Sequence, residues 1–300
     1  MAEQGSFTAA ANHLHLTQST LTTQIKQLES NVGLELFDRT TRSVELTSPG
    51  ESFLPIAKRL LIDFQTAIDD LSAHAALKKG KITLASSPSM LTGILPNLVK
   101  QFHEQHPNIH FLMREESAGH IENMVLEGNV DFGIGGNHSN LLDLSYTPLL
   151  TDQYGIVAKP DSKLDRWSDL SPEKLIWLSS DTGIRTELER LYAEHQLPID
   201  LGKIELEVSS PAALAAMVNT GLGASLIPAL AASTPAFYAL SFKPLKNPTL
   251  LRTIYLIQRR GRTLTPASQA FIHSLKNALK VKNLPEGVNV YTNNESKNLI

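Results

Sequence analysis

Apolar and polar residues follow two different rhythms along this chain, and the change of rhythm divides it. From Leu16 to Gly33, Leu21, Ile25, Leu28 and Val32 recur at i, i+4, i+7 and i+11, which is one face of a helix. The early turns otherwise carry Thr17, Gln18, Ser19, Thr20, Thr22 and Thr23. Ser and Thr are mediocre helix formers, so a helix this rich in hydroxyls needs a reason for them. Ser6 or Thr8 is placed to cap a shorter helix carrying Ala9, Ala10, Ala11 and Leu14; Thr17 is placed to cap the second, and Gly33 to end it. "LELFDRTTRSVELT" then reads as two short strands, Leu34–Arg39 and Val44–Thr47, around a polar tip at Thr40–Ser43. Helix, turn, helix and β-wing is the order of a winged helix-turn-helix.

Ser48-Pro49-Gly50-Glu51 has the form of a capping box with Pro at N1. A helix to about Lys78 is predicted after it. Leu54, Ala57, Leu61, Phe64, Ile68, Leu71 and Ala75 alternate steps of three and four, the narrow stripe of a coiled-coil seam. A helix lying on its own domain shows a broader stripe, so a dimerising linker is favoured over a monomer's surface helix. Pro55 is expected to kink it near its start.

From Lys81 onward strand-like and helix-like runs alternate: "KITLAS", "NIHFLMREES", "VDFGIGG", "YGIVAK", "LIWLSS", "KIELEVSS" and "GASLIP" are interleaved with amphipathic segments. That alternation predicts an α/β fold with mainly parallel sheets, in two lobes with a cleft. The polar stretch after Lys282 shows no pattern and is expected to be disordered.

Composition narrows the class. The chain has 300 residues, a formal net charge of −3, and no cysteine, so a disulfide scaffold and a thiolate metal site are both excluded. No secretory signal and no membrane-length apolar run are present, and the expected location is cytoplasmic. In residues 1–48, Lys26, Arg39 and Arg42 are outnumbered by Glu3, Glu29, Glu35, Asp38 and Glu45, so this region lacks the basic footprint of many DNA-binding domains.

The candidate chemistry falls in two places. Opposite the Leu21/Ile25/Leu28 stripe stand Ser19, Thr23, Lys26 and Ser30, with Thr22 on the flank, facing outward as a groove-reading surface would. Further on, strand-to-helix junctions end in small polar residues: Ser86-Ser87-Pro88-Ser89, Ser179-Ser180-Asp181-Thr182-Gly183 and Ser209-Ser210-Pro211, with a glycine-rich turn at Gly133–Gly136. Such junctions hold ligands in α/β sheets, although helix capping is the simpler role of each serine taken alone. No G-x-S-x-G elbow, P-loop or complete G-x-G-x-x-G is present, so no enzyme is indicated. The histidines are scattered. His103 and His106 share a helix face without an evident third ligand, so no metal site is assigned and no cofactor is expected.

The stretch "GSFTAAANHLHLTQSTLTTQIKQLESNVGLELFDRTTRSVELTSPGESFLP" resembles the DNA-binding region of LysR-type transcriptional regulators, matching at Gly5-Ser6-Phe7, Ala10-Ala11, Leu14, Thr17-Gln18-Ser19, Leu21-Thr22, Ile25, Leu28-Glu29, Gly33, Leu36-Phe37, Arg39, Leu46-Thr47 and Gly50. Leu95-Pro96, "EGNVDFGIGG" and "NTGLGASLIP" resemble landmarks of the same family's effector domain. The resemblance implies a winged helix-turn-helix over residues 1–48, a linker helix over 49–79 and a two-lobed periplasmic-binding-protein-like domain (type II) over 80–285. Lobe I would take about 80–150 and 250–282, lobe II about 151–249, with crossings near Leu150–Tyr154 and Lys243–Leu251 and a disordered tail at 286–300. It implies DNA contacts from Gln18, Ser19, Thr20, Thr22, Thr23, Lys26, Arg39 and Arg42. Thr23 stands where many relatives carry Arg.

In the effector domain the resemblance implies effector contacts from Ser87 and Ser89 and, more distantly, from Ser180, Thr182 and Ser209. The effector would be a small molecule, with an organic anion as the favoured class. The partners would be promoter half-sites of double-stranded DNA, a second copy of the chain in a homodimer or homotetramer, and RNA polymerase as a further candidate, with no membrane. The family also carries a helix ahead of the matched segment; Met1 falls inside what would be its end, so the natural start is expected to be earlier, and without that helix DNA binding would be impaired. The rival reading is a solute-binding or sensor protein of the periplasmic-binding-protein type that does not bind DNA.

Overall fold

A computed structural model describes residues 2, 4–39, 44–73, 80–170, 174–180, 182–195, 206–281 and 284–292, with backbone alone at 39, 63, 65–73 and 281. The chain divides into two compact units, Met1–Ala67 and Ile68–Ile300.

In the first unit, helix α1 spans Phe7–His13 and α2 spans Gln18–Val32. Of the two candidate caps for α1, Ser6 is the one used, accepting the Ala9 N–H. Thr17 caps α2 by accepting the Thr20 N–H, and Gly33 ends it in the left-handed conformation (φ 70°) that a side chain would disfavour. Ala10, Ala11 and Leu21 form the small core, with Phe7 and Ile25 against it. The apolar stripe of α2 is thus only partly covered: Leu28 and Val32 are exposed, as are Leu14 and Leu34.

The wing strands, β1 (Phe37–Arg39) and β2 (Val44–Leu46), are antiparallel and shorter than predicted; the tip at 40–43, and Arg42 with it, lies outside the described residues. Glu29 is the buried strut of this unit. Its carboxylate accepts the N–H groups of Leu36 and Phe37 at 3.0 and 3.2 Å, tying the entry of the wing to α2. Helix α3 spans Ser48–Ala73 and runs on through Pro55. Its cap is Thr47, not the predicted Ser48. The Thr47 hydroxyl donates to the Glu35 carbonyl and accepts the Gly50 N–H, so one side chain closes the wing and starts the helix. Gly50 is required beside it, because a Cβ there would lie 2.1 Å from the Leu36 carbonyl oxygen. On α3, Ile56, Leu60, Leu61 and Phe64 are exposed; the seam side chains of Ile68, Leu71 and Ala75 lie outside the described set.

The second unit begins with β3 (Gly80–Ser86), α4 (Pro88–Gly93), α5 (Leu95–Gln105), β4 (Ile109–Glu115), α6 (Ala118–Leu126) and β5 (Phe132–Gly135). The helical stretch is broken at Ile94, just ahead of Pro96, which sits in the first turn of α5, where a missing N–H costs nothing. There follow the long strand β6 (Leu144–Ala158), β7 (Ile176–Leu178), α7 (Gly183–His195), β8 (Leu206–Val208), α8 (Pro211–Thr220) and β9 (Ser225–Pro228). The short helix α9 (Ala229–Ala232), β10 (Ser241–Pro244), β11 (Leu251–Arg259), α10 (Pro266–Val281) and β12 (Val288–Val290) complete it.

Two hydrophobic cores flank the middle of β6. Leu149 and Leu150 belong to one, with Ile82, Leu84, Phe132 and Phe271; Tyr154, Ile156 and Val157 belong to the other, with Trp177, Leu188 and Leu214. The chain passes between them along β6 and again between Leu250 and Ile254. Ala229 and Leu230 pack into the first core, so α9 is a third link, inside the segment expected to belong to the other lobe.

Two corrections follow. The sheets are mixed rather than mainly parallel: β3 pairs in parallel with β4 and β5, and β7 with β8, but β6 pairs antiparallel with β9, β10, β11 and β12. A strand that crosses between lobes must be met by a strand returning, and return along the same edge is antiparallel. Second, the segment expected to be a disordered tail contains β12, which buries Val288 and pairs with Leu150–Asp152; residues 293–300 lie outside the described set.

Candidate DNA-binding and effector sites

On α2, Gln18, Ser19, Thr20, Thr23 and Lys26 are exposed and Thr22 half-buried; Ser19, Thr23 and Lys26 lie on the side away from Leu21, with Thr22 on its flank. Most of the hydroxyls are already engaged within the helix. Thr22 donates to the Gln18 carbonyl at 2.8 Å and Thr23 to the Ser19 carbonyl at 2.9 Å; the Thr17 hydroxyl lies 2.9 Å from that of Ser19 and 2.7 Å from that of Thr20. With their protons directed inward, Thr22 and Thr23 present lone pairs and methyl groups outward, which suits base amino groups and thymine methyls. Gln18 accepts the Thr8 hydroxyl through Oε1 at 3.2 Å, leaving its amide protons free to donate. Arg39 is the last residue of β1.

In the second unit a cleft of about 620 Å³ lies between the two cores. Of the predicted effector residues, Ser87, Ser89, Thr182 and Ser209 line it; Ser180 does not, its side chain being exposed and its carbonyl accepting the Thr186 hydroxyl. The turn at Gly136 also lines it, while Gly133 lies beneath, where a Cβ would meet Ile121 Cγ2 at 2.4 Å.

The hydroxyls around the cleft are in unequal states. Thr182 and Ser210 cap their helices, accepting from the N–H groups of Arg185 and Ala213. Ser87 and Ser117 stand at the cap positions of α4 and α6 and cap neither with their side chains. Ser87 Oγ is buried and has no hydrogen-bond partner.

The floor of the cleft is a buried ion pair that the sequence reading missed. Asp152, fully buried in β6, accepts from Arg252 Nε and Nη2 at 2.9 and 2.7 Å and from the Leu230 N–H at 2.9 Å. Arg252 Nη2 also donates to Ser89 Oγ at 2.9 Å. Burial pushes the Asp152 carboxyl above its ordinary value, against the pull of Arg252 and the backbone N–H. Burial lowers the guanidinium value of Arg252, but Asp152 more than reverses that, so Arg252 is firmly charged. A second missed residue is Glu122. It is fully buried on α6 and accepts the N–H groups of His138 and Ser139 and the Tyr146 hydroxyl, fixing the loop that forms one cleft wall. Burial is the first cause that raises Tyr146, to about 12, and the bond to Glu122 adds to it.

A winged helix-turn-helix ahead of an α/β unit with a cleft is the layout of a ligand-responsive transcription factor. Comparison with known proteins gives the family. Residues 1–51 match the bacterial regulatory helix-turn-helix protein, lysR family, and residues 75–280 match the LysR substrate binding domain. The chain belongs to the LysR family of transcriptional regulators. It is 31% identical over 282 residues to an uncharacterized HTH-type transcriptional regulator, YbhD, of Escherichia coli (strain K12), covering 92% of this chain and 88% of that one. Among solved structures, a full-length OxyR variant from Pseudomonas aeruginosa is similar in fold (TM-score 0.71, 20% identity, 97% of this chain and 95% of that one). The effector binding domain of QuiR in complex with shikimate is also similar (TM-score 0.59, 23% identity, 69% of this chain and 100% of that one).

The protein is therefore a DNA-binding transcriptional regulator with an effector domain, and the reading as a solute-binding protein without DNA binding falls away. Its family is one of regulators, not of enzymes. No helix among the described residues is long and apolar enough to cross a membrane.

Proposed function

We propose that the protein acts in the cytoplasm, where it reads promoter half-sites with the outward face of α2 and changes its DNA binding when a small molecule fills the cleft. Gln18, Ser19, Thr20, Thr22, Thr23 and Lys26 meet the major groove, and Arg39 and Arg42 of the wing meet the backbone or the neighbouring groove. Ser87, Ser89, Thr182 and Ser209 contact the effector. Ser180 is dropped from that set, since it stands off the cleft. The exposed apolar residues of α3, Ile56, Leu60, Leu61 and Phe64, support pairing of two copies through this helix. Two copies reading adjacent half-sites offset the absence of a net positive charge on each domain.

One observation carries this reading. Junctions from both sides of β6, at Ser87 and Ser89 and at Thr182 and Ser209, converge on a single cleft at the place where the chain crosses between cores. Closure there moves one core against the other, which is how a bound small molecule becomes a change of shape.

A gel shift with DNA from around the protein's own gene tests it. Binding is expected for the native chain, and at least about tenfold weaker binding for Lys26→Glu and for Thr22→Asp with Thr23→Asp, as for loss of base and phosphate contacts. Unchanged affinity in these variants would remove α2 from the interface.

A further inference from the structure

The cleft carries a pattern of charge that selects among small molecules. Its floor offers donors without acceptors. The Arg252 side chain is 9% exposed and lines the cleft, and its bonds to Asp152 and Ser89 use Nε and Nη2. Among the described residues Nη1 has no acceptor. Beside it Ser87 Oγ is buried without a partner. The buried hydroxyl calls for a partner from outside the chain, and Nη1 can give an oxyanion placed there a charged donor.

The walls have the opposite sign. Glu115 and Glu116, from the end of β4, and Glu187, from α7, all line the cleft. Arg252 is the sole Lys or Arg among the lining residues, and its charge is matched by Asp152. Two wall carboxylates have partial partners: His120 Nδ1 is 3.4 Å from Glu116, and Arg190 donates to both oxygens of Glu187 while also holding Glu194. The lining as a whole stays negative, so a molecule that is only an anion meets repulsion at the rim. Glu116 and Glu187 line the cleft from the two sides of β6.

We propose that the effector is a zwitterion of amino-acid size, with its oxyanion on Ser87 and Arg252 and its cationic nitrogen between Glu116 and Glu187. The nitrogen gives both walls a shared counter-charge, so the groups that give selectivity also favour closure. This proposal rests on the cleft being the effector site, and it replaces the simple organic anion expected from the sequence.

Thermal shift and calorimetry on the full chain test it, using the common amino acids, their matched 2-hydroxy acids and shikimate as probes. At least one amino acid is expected to raise Tm while its 2-hydroxy counterpart does not at the same concentration. Glu187→Gln is expected to weaken that amino acid about tenfold, the loss of a charged hydrogen bond, and to narrow its advantage over the hydroxy acid. Ser87→Ala is expected to weaken both partners of a matched pair alike. Urea unfolding of each variant shows that it is folded. The proposal is overturned if a hydroxy acid or shikimate stabilises the protein and no amino acid does, if neither series shifts Tm, or if Glu187→Gln leaves the preference unchanged. A gel shift under the same conditions keeps the two readings apart. Stabilisation by an amino acid with no DNA binding in any condition defeats the regulatory role and leaves the ligand class standing.

Discussion

Short hydroxyls at the starts of helices occupy both functional regions, in different states. On α2, Thr22 and Thr23 direct their protons to carbonyls of their own helix and stand beside solvent; in the cleft, Ser87 Oγ is buried with no partner and Ser89 is held by the buried Arg252. The first set is complete without a ligand and offers its lone pairs and methyl groups to whatever surface docks. The second is incomplete, and a ligand finishes it. A docking face can therefore tolerate many single changes, whereas the cleft depends on a few groups that are costly to disturb.

The largest effect is expected at the cleft floor. Arg252→Met leaves the Asp152 carboxylate buried without its cation, and breaking such a pair by removing one partner costs about 3–5 kcal/mol. Urea unfolding is expected to show this loss in the second unit. A change below about 1 kcal/mol would mean that water reaches Asp152 and that the floor is not dry.

Next comes the cleft wall. Glu122→Gln keeps the shape but replaces a charged acceptor of several bonds, and is expected to cost about 1.5–3 kcal/mol. Hydrogen exchange should rise at His138 and Ser139, where the bonded N–H groups are, and stay unchanged on α2. In the first unit, Gly50→Ala drives a methyl against the Leu36 carbonyl and is expected to cost about 1–3 kcal/mol, as overpacking does, weakening DNA binding by shifting the wing. DNA affinity unchanged by Gly50→Ala would separate the wing from the interface.

What could be read in advance follows the range of the interactions. The cap at Thr17 and the left-handed Gly33 are set by neighbours within a few residues, so local pattern finds them. Arg252 and Asp152 are a hundred residues apart in sequence, and each reads alone as a polar residue in a strand. Glu116 and Glu187 likewise become one feature only when β4 and α7 meet at the cleft. The strand β12 was illegible for a related reason: Val288-Asn289-Val290 has no amphipathic run of its own, and its order comes from pairing with β6. Thr47 was passed over because the box beginning at Ser48 satisfies the local rule, while the carbonyl of Glu35 that decides the cap lies twelve residues back.

The smallest effects give the sharpest form of the comparison, because two removals of one hydroxyl are expected to differ in sign. Thr17→Ala removes a cap that accepts the Thr20 N–H, and should cost the first unit about 1 kcal/mol. Ser87→Ala removes an oxygen that is already buried and unpartnered, so the empty protein loses no bond and escapes a desolvation cost; its stability should hold or rise by up to about 1 kcal/mol. The same substitution should weaken the effector, because the ligand is what completes that oxygen. Paired unfolding curves read the first half and calorimetry the second. If Ser87→Ala destabilises the empty protein as much as Thr17→Ala does, the Ser87 hydroxyl is part of the fold rather than a vacancy kept for a ligand, and the two hydroxyl sets are alike after all.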